Sequence, residues 1–139
     1  MSERLFLYPR DARRIRELAL AAWPVEACGL LEGAANAVHR VHRLENVAAD
    51  PRTQFTIDPE AFLRVEHGAR ACGRTIIGVW HSHPNGSAMP SPIDRASAWP
   101  GWSYLIAGVT NAEPAALRSW QLCAGGFVPQ SLVLRGYRP

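Results

Sequence analysis

The run Thr75-Ile76-Ile77-Gly78-Val79-Trp80 constrains this chain more than any other stretch. It is apolar and rich in β-branched residues, it follows a helix stop at Gly73, and Pro84 ends it, which is the pattern of a buried strand. The remaining segments of a chain this short become its scaffold. At the far end of the strand His81 and His83 share a face, because side chains two apart point the same way, while Trp80 and Ser82 take the opposite face.

The loop Asn85 to Pro90 turns the chain back, and Ser91-Pro92-Ile93-Asp94 reads as a helix start: Ser91 as N-cap, Pro92 at the first helical position, an acid in the first turn. Asp94 can therefore point back at the two histidines. Two neutral imidazoles and one carboxylate suit zinc, and three protein ligands leave one coordination position open, as catalytic sites do. Each part has a plainer meaning by itself. A His-x-His pair is more often two ordinary strand residues, and Ser-x-x-Asp is usually only a cap favoured by the helix dipole. The combination is rarer than either part.

The series His81-x-His83, seven residues, Ser91, two residues, Asp94 resembles the zinc signature of the JAMM metalloproteases, the catalytic branch of the MPN domain family. That family also carries a glutamate in a setting like Pro-x-Glu-x-Cys-Gly-x-Leu, and Pro24-Val25-Glu26-Ala27-Cys28-Gly29-Leu30 matches it. From the residues alone the role of Glu26 stays undecided, since a carboxylate at a strand entrance is usually solvated. The resemblance runs from about Leu5 to about Leu122. It implies Zn²⁺ held by His81, His83 and Asp94, with Glu26 as general base and Ser91 as donor to the developing oxyanion. It implies hydrolysis of the peptide or isopeptide bond after the C-terminal Gly-Gly of a ubiquitin-like protein. The short chain has the look of the small prokaryotic members, whose partners are ubiquitin-like sulfur carrier proteins of the ThiS/MoaD type or their conjugates. The substrate tail could add alongside an exposed strand edge, with Trp80, Trp99 and Trp102 as candidates to line the groove, core packing being the plainer role for Trp80.

Two other readings compete: a non-catalytic MPN module that binds a ubiquitin-like partner, and a relative of the RadC proteins, which share a similar His-x-His-Pro motif. Retention of Glu26, His81, His83, Ser91 and Asp94 counts against the first, and scattered arginines count against the second. A zinc nucleoside deaminase is excluded, because no Pro-Cys-x-x-Cys accompanies the histidines.

At 139 residues, 47% of them hydrophobic, residues 1–139 fit a single domain with its own core. The apolar run Leu18 to Val25 is too short to span a bilayer and follows a charged segment unlike a secretory signal, so no membrane association and a cytoplasmic location are expected. Cys28, Cys72 and Cys123 are an odd number without a Cys-x-x-Cys pair, which favours a reducing compartment and gives Cys28 a packing role. All 15 basic residues are arginine; spread along the chain with a net charge of +3, they make a weak nucleic-acid footprint but would attract an acidic protein. Without lysine, no side chain of this protein can accept a lysine isopeptide. Whether two copies pair as a homodimer is left open.

Leu5 to Tyr8 reads as a strand, Pro9 to about Trp23 as a helix, Glu26 to Gly33 and Ala37 to Leu44 as strands, with His39 and His42 on the surface. Thr53 to Ile57 reads as a short strand before a helix from Pro59 to about Ala71, capped by Asp58. The helix begun at Pro92 continues to Trp99, Pro100-Gly101 breaks it, and Ser103 to Val109 returns as a strand. Leu117 to Ala124 and Phe127 to Leu134 make a hairpin across Gly125-Gly126. These elements indicate an α+β or mixed α/β fold, for which the resemblance implies a curved, mostly antiparallel sheet flanked by two main helices.

Overall fold

A computed structural model describes residues 3–111 and 116–135. In chain order the elements are β1 (Arg4–Leu7), α1 (Pro9–Ala22), β2 (Cys28–Ala34), β3 (Ala37–Leu44), α2 (Pro59–Ala71), β4 (Thr75–His83), α3 (Pro92–Ser97), β5 (Ser103–Gly108), β6 (Ala116–Cys123) and β7 (Gly126–Leu134). The strands lie in the order β1-β3-β2-β4-β5-β6-β7, and β7 returns to β1, closing the sheet into a barrel. The β2–β3, β2–β4, β5–β6 and β6–β7 pairings are antiparallel, whereas β1–β3, β1–β7 and β4–β5 are parallel. The expected mixed α/β architecture is present, with a closure that no local pattern announces.

Both main helices form for reasons visible in their own residues. Proline occupies the first turn of α1, and Ala12, Ile15 and Ala19, three and four apart, form its buried stripe. The Asp58 carboxylate accepts the Ala61 N–H at 3.1 Å to start α2, and Gly73 at φ +71 ends it in the left-handed region. The stripe of α1 packs with Leu5, Leu31, Trp80, Leu105 and Val109. On the opposite face Phe62, Val65 and Ala69 of α2 pack with Leu30, Ile76, Val79 and Ile106. Strand β4 is thus apolar on both faces, which accounts for its continuous hydrophobic run.

Simple alternation does not hold along β4. Its register against β2 shifts, with Leu31 opposite Gly78 but Glu32 opposite Ile76, so Ile77 is one residue too many. Ile77 joins Trp80 in the α1-side cluster, while Ile76 and Val79 lie on the α2 side. This bulge resets the phase of the strand, and His81 and His83 then emerge on the α2 side. Gly78 meets the crowding at this point: a Cβ there would lie 2.2 Å from the Ser103 carbonyl oxygen.

Four expectations need correction. Thr53 to Ile57 forms no strand: the Asn46 side chain donates to Gln54 O at 2.9 Å and accepts from Thr56 N at 3.1 Å, replacing a ladder with side-chain bonds. Strand β2 starts at Cys28, so Glu26 belongs to the segment before it. Helix α3 stops at Ser97, where the backbone turns extended at Ala98 and Trp99 N–H is captured by the Tyr104 hydroxyl at 2.6 Å. His42 is half-buried, bonded to Glu32 at 2.9 Å. Among the described residues no helix is long and apolar enough to cross a membrane.

Candidate metal centre

The end of β4, the start of α3 and the entrance to β2 meet at one place. His81 Nε2 and His83 Nε2 stand 3.1 Å apart, and Asp94 Oδ2 lies 3.2 Å from the first and 3.1 Å from the second. The same Asp94 oxygen accepts Ser91 N–H at 2.8 Å, and Ser91 Oγ accepts Asp94 N–H at 3.1 Å. The capping box and the meeting with the histidines are therefore one arrangement: the cap fixes the rotamer that aims the carboxylate.

Glu26 is 4% exposed although it precedes its strand. Its N–H donates to Pro51 O at 2.7 Å, its carbonyl accepts from Asn46 Nδ2 at 2.9 Å, and the next residue's N–H donates to Ser82 Oγ at 2.8 Å. Ser82, on the face of β4 away from the histidines, thus ties Glu26 to them. Candidate donor atoms of Glu26, His81 and His83 all fall within 4.8 Å of one another. Glu26 Oε1 is buried without a hydrogen-bond partner among the described residues.

Electrostatics separate the four groups. Burial pushes the Glu26 carboxyl up to about 7; His83 pulls it back and the Asp94 carboxylate pushes it further. For Asp94 burial also works upward, but the bonds from His81 and His83 outweigh it and hold the carboxyl well below the usual carboxylate range. His81, buried and stacked on Phe55 with centroids 4.4 Å apart, is held low by burial, so its imidazole is neutral. In His83 burial is outweighed by the Asp94 carboxylate and the net shift is upward. The His83 Nδ1 proton goes to Ser87 O at 2.9 Å, which leaves Nε2 as the ring nitrogen that faces Asp94 and His81.

These residues fit a metal. Ligands about 2.0–2.1 Å from a tetrahedral ion stand roughly 3.3 Å from each other, close to the edges of the triangle formed by His81, His83 and Asp94. Two imidazole nitrogens this close need a proton or a cation between them. Glu26 offers a carboxylate oxygen within 4.8 Å of donor atoms of both histidines, close enough to join them at an ion or to act on a water beside it. Ser91 Oγ accepts the cap N–H with one of its two lone pairs and keeps its hydroxyl proton to donate.

Beside the triangle opens a cavity of about 660 Å³, walled by Phe55, Phe62, Trp99 and Trp102 and reaching His81 and Asp94. Trp99 and Trp102 thus line a groove as expected, whereas Trp80 is core, its indole donating to His42 O at 2.8 Å. Burial, with Glu26 adding to it, pushes the Cys28 thiol up to about 12, which removes it as a nucleophile. Sequence reasoning missed Phe55, Asn46 and Ser82, and only Phe55, apolar inside a polar connection, stood out locally.

A donor triangle with a neutral-range carboxyl behind it and an apolar groove in front defines a class, the metal-assisted hydrolases. Comparison with known proteins narrows it. Residues 9–123 match the family of prokaryotic homologs of the JAB domain, and the chain belongs to that family. It is 40% identical over 94 residues to a desampylase of Haloferax volcanii, covering 66% of this chain and 68% of that one. It is 38% identical over 98 residues to a probable TtuB-protein conjugate cleaving protease of Thermus thermophilus, covering 70% and 66%. A Desulfitobacterium hafniense protein solved in solution superposes with a TM-score of 0.84 at 31% identity, over 96% of this chain and 94% of that one. A JAB1/MPN domain protein from Archaeoglobus fulgidus shares the fold, at TM-score 0.58 and 21% identity over 95% and 98%. The chain is a small prokaryotic member of the JAMM/MPN group and a hydrolase.

Proposed function

We propose that this chain is a zinc metallopeptidase that hydrolyses the peptide or isopeptide bond after the C-terminal Gly-Gly of a ubiquitin-like sulfur carrier protein. The observation that carries the reading is the triangle of His81, His83 and Asp94 with the buried Glu26 carboxyl beside it, one oxygen of which has no hydrogen-bond partner among the described residues. The relatives named desampylase and TtuB-protein conjugate cleaving protease support the substrate class.

His81, His83 and Asp94 would hold Zn²⁺, which supplies Lewis-acid polarisation of the amide carbonyl when bound. Glu26, with a pKa of about 7, can take a proton from the attacking water and deliver it to the departing amine nitrogen. Ser91 donates its hydroxyl proton to the oxygen that becomes negative. Phe55, Phe62, Trp99 and Trp102 receive apolar side chains of the substrate and keep bulk water from the reacting carbonyl. The chain needs no covalent intermediate for this.

The test is cleavage by zinc-loaded protein of ubiquitin-like carriers bearing C-terminal extensions, read by intact mass beside Glu26→Gln. Cleavage after Gly-Gly, lost in the variant, is the expected result. Zinc bound at one per chain with no cleavage of any carrier would turn the reading toward a binding module.

A further inference from the structure

We infer that Trp120, on β6, is a positioning residue for the metal loop: its indole N–H holds the peptide beside the carbonyl that orients His83. The inference rests on His83 being a zinc ligand. Four observations carry it. First, the proton of His83 Nδ1 is held by Ser87 O at 2.9 Å, and Ser87 lies in neither helix nor strand, so no backbone ladder holds that carbonyl. Second, the next carbonyl along, Ala88 O, accepts Trp120 Nε1–H at 2.9 Å, with Ala88 and Trp120 each 7% exposed.

Third, Asn85 Oδ1 accepts Ser87 N–H at 2.9 Å, so the Ser87 carbonyl is bracketed by a bond on each side. Of the two brackets only the tryptophan is buried, where water cannot substitute for it. Fourth, the loop is seated tightly on the end of β5: Val109 N–H donates to His83 O at 3.0 Å, and a Cβ on Gly108 would come within 2.3 Å of Gly86 O. A loop clamped this closely has little freedom once its last carbonyl is fixed. Trp23 Nε1 adds an outer, exposed pin on Pro84 O at 3.2 Å. Trp120 itself cannot drift, since it pairs across the sheet with Tyr104 and Pro129.

Groups that hold a metal-bound histidine through its second nitrogen change metal affinity by about 10–100-fold, and Trp120 acts one bond further out, at the lower end of that range. Coupling is reciprocal, so zinc must in turn tighten the Trp120–Ala88 bond. The experiment measures zinc affinity by chelator competition for wild type, Trp120→Phe, His83→Ala and Ile15→Val. Trp120→Phe removes the donor and keeps most of the ring. Its affinity should fall about tenfold. Ile15→Val, a packing change on the α1 face, should lower Tm and leave affinity unchanged. His83→Ala should lose stoichiometric zinc.

Wild-type affinity in Trp120→Phe overturns the inference. Full binding by His83→Ala overturns the ligand assignment beneath it, a separate failure. If Trp120→Phe does not fold, indole hydrogen exchange in the wild-type protein decides. Zinc should slow the Trp120 proton about tenfold or more over the metal-free protein. It should change the proton of Trp80, which bonds His42 O away from the loop, less than twofold. Equal effects on the two indoles would overturn the inference.

Discussion

Replacing Glu26 by glutamine should separate stability from activity, moving them in opposite directions. Glu26 is buried with one carboxylate oxygen unpartnered, and burial lifts its carboxyl from an ordinary 4.5 to about 7. The sign follows from proton counts: between those values the folded metal-free protein holds a proton that the unfolded chain has released, so stability falls as pH rises through this window. At about 1.36 kcal/mol for each pH unit, the full gap comes to about 3 kcal/mol. Partial solvent access and the burial cost of the amide itself reduce this to about 1–2 kcal/mol. Glu26→Gln, neutral throughout, should therefore raise the Tm of the chelator-treated protein at pH 8 by about 3–8 °C and change little at pH 5. Thermal unfolding followed by circular dichroism at the two pH values measures this. Turnover of the zinc-loaded variant should drop by about 10²–10⁴-fold, the range for a lost general base. A variant no more stable than wild type at pH 8, or equally stabilised at both pH values, would refute the electrostatic argument. Wild-type turnover would refute the role of Glu26.

Asp94→Ala should abolish stoichiometric zinc by metal analysis and also cost about 1 kcal/mol in the metal-free protein, because the carboxylate is half of the α3 capping box. Ser91→Ala should keep its zinc and lose about 10²-fold in turnover, the usual cost of an oxyanion donor; an unchanged rate would remove Ser91 from the chemistry. Away from the centre, Glu32 is buried and accepts His42 Nε2 at 2.9 Å and Arg74 Nε at 2.6 Å. Burial works to raise its carboxyl, but these two bonds outweigh it and leave the pKa lowered, so its contribution is present above the ordinary carboxyl range and fades as pH falls. Glu32→Gln should cost about 1–3 kcal/mol by urea unfolding at pH 7, a difference that closes in acid.

The parts of the site legible in the sequence are those whose geometry is local. His81 and His83 share a face through strand periodicity alone, and Ser91 with Asp94 is a capping box written in adjacent residues. The position of Glu26 required the family pattern, since no local rule brings a residue outside its strand onto a site 55 positions later; a ring of bonds through Asn46, Pro51 and Ser82 does so. Closure of the sheet by β1 against β7 pairs strands more than 120 residues apart, and neither strand carries a mark of its partner. Thr53 to Ile57 has strand composition, yet Asn46, seven positions before it, takes up the bonds a ladder would need.

The extra residue at Ile77 separates the order of residues in β4 from the faces they occupy. Upstream of it β4 keeps one phase, and downstream the opposite. Deleting Ile77 would leave Leu31 opposite Gly78 and Glu32 opposite Ile76 as consecutive pairs, a regular ladder in which Trp80, His81, Ser82 and His83 keep the faces they now hold. The frame of the sheet is thus carried by the pairing of β4 with β2, and the centre would survive in a relative one residue shorter at this point.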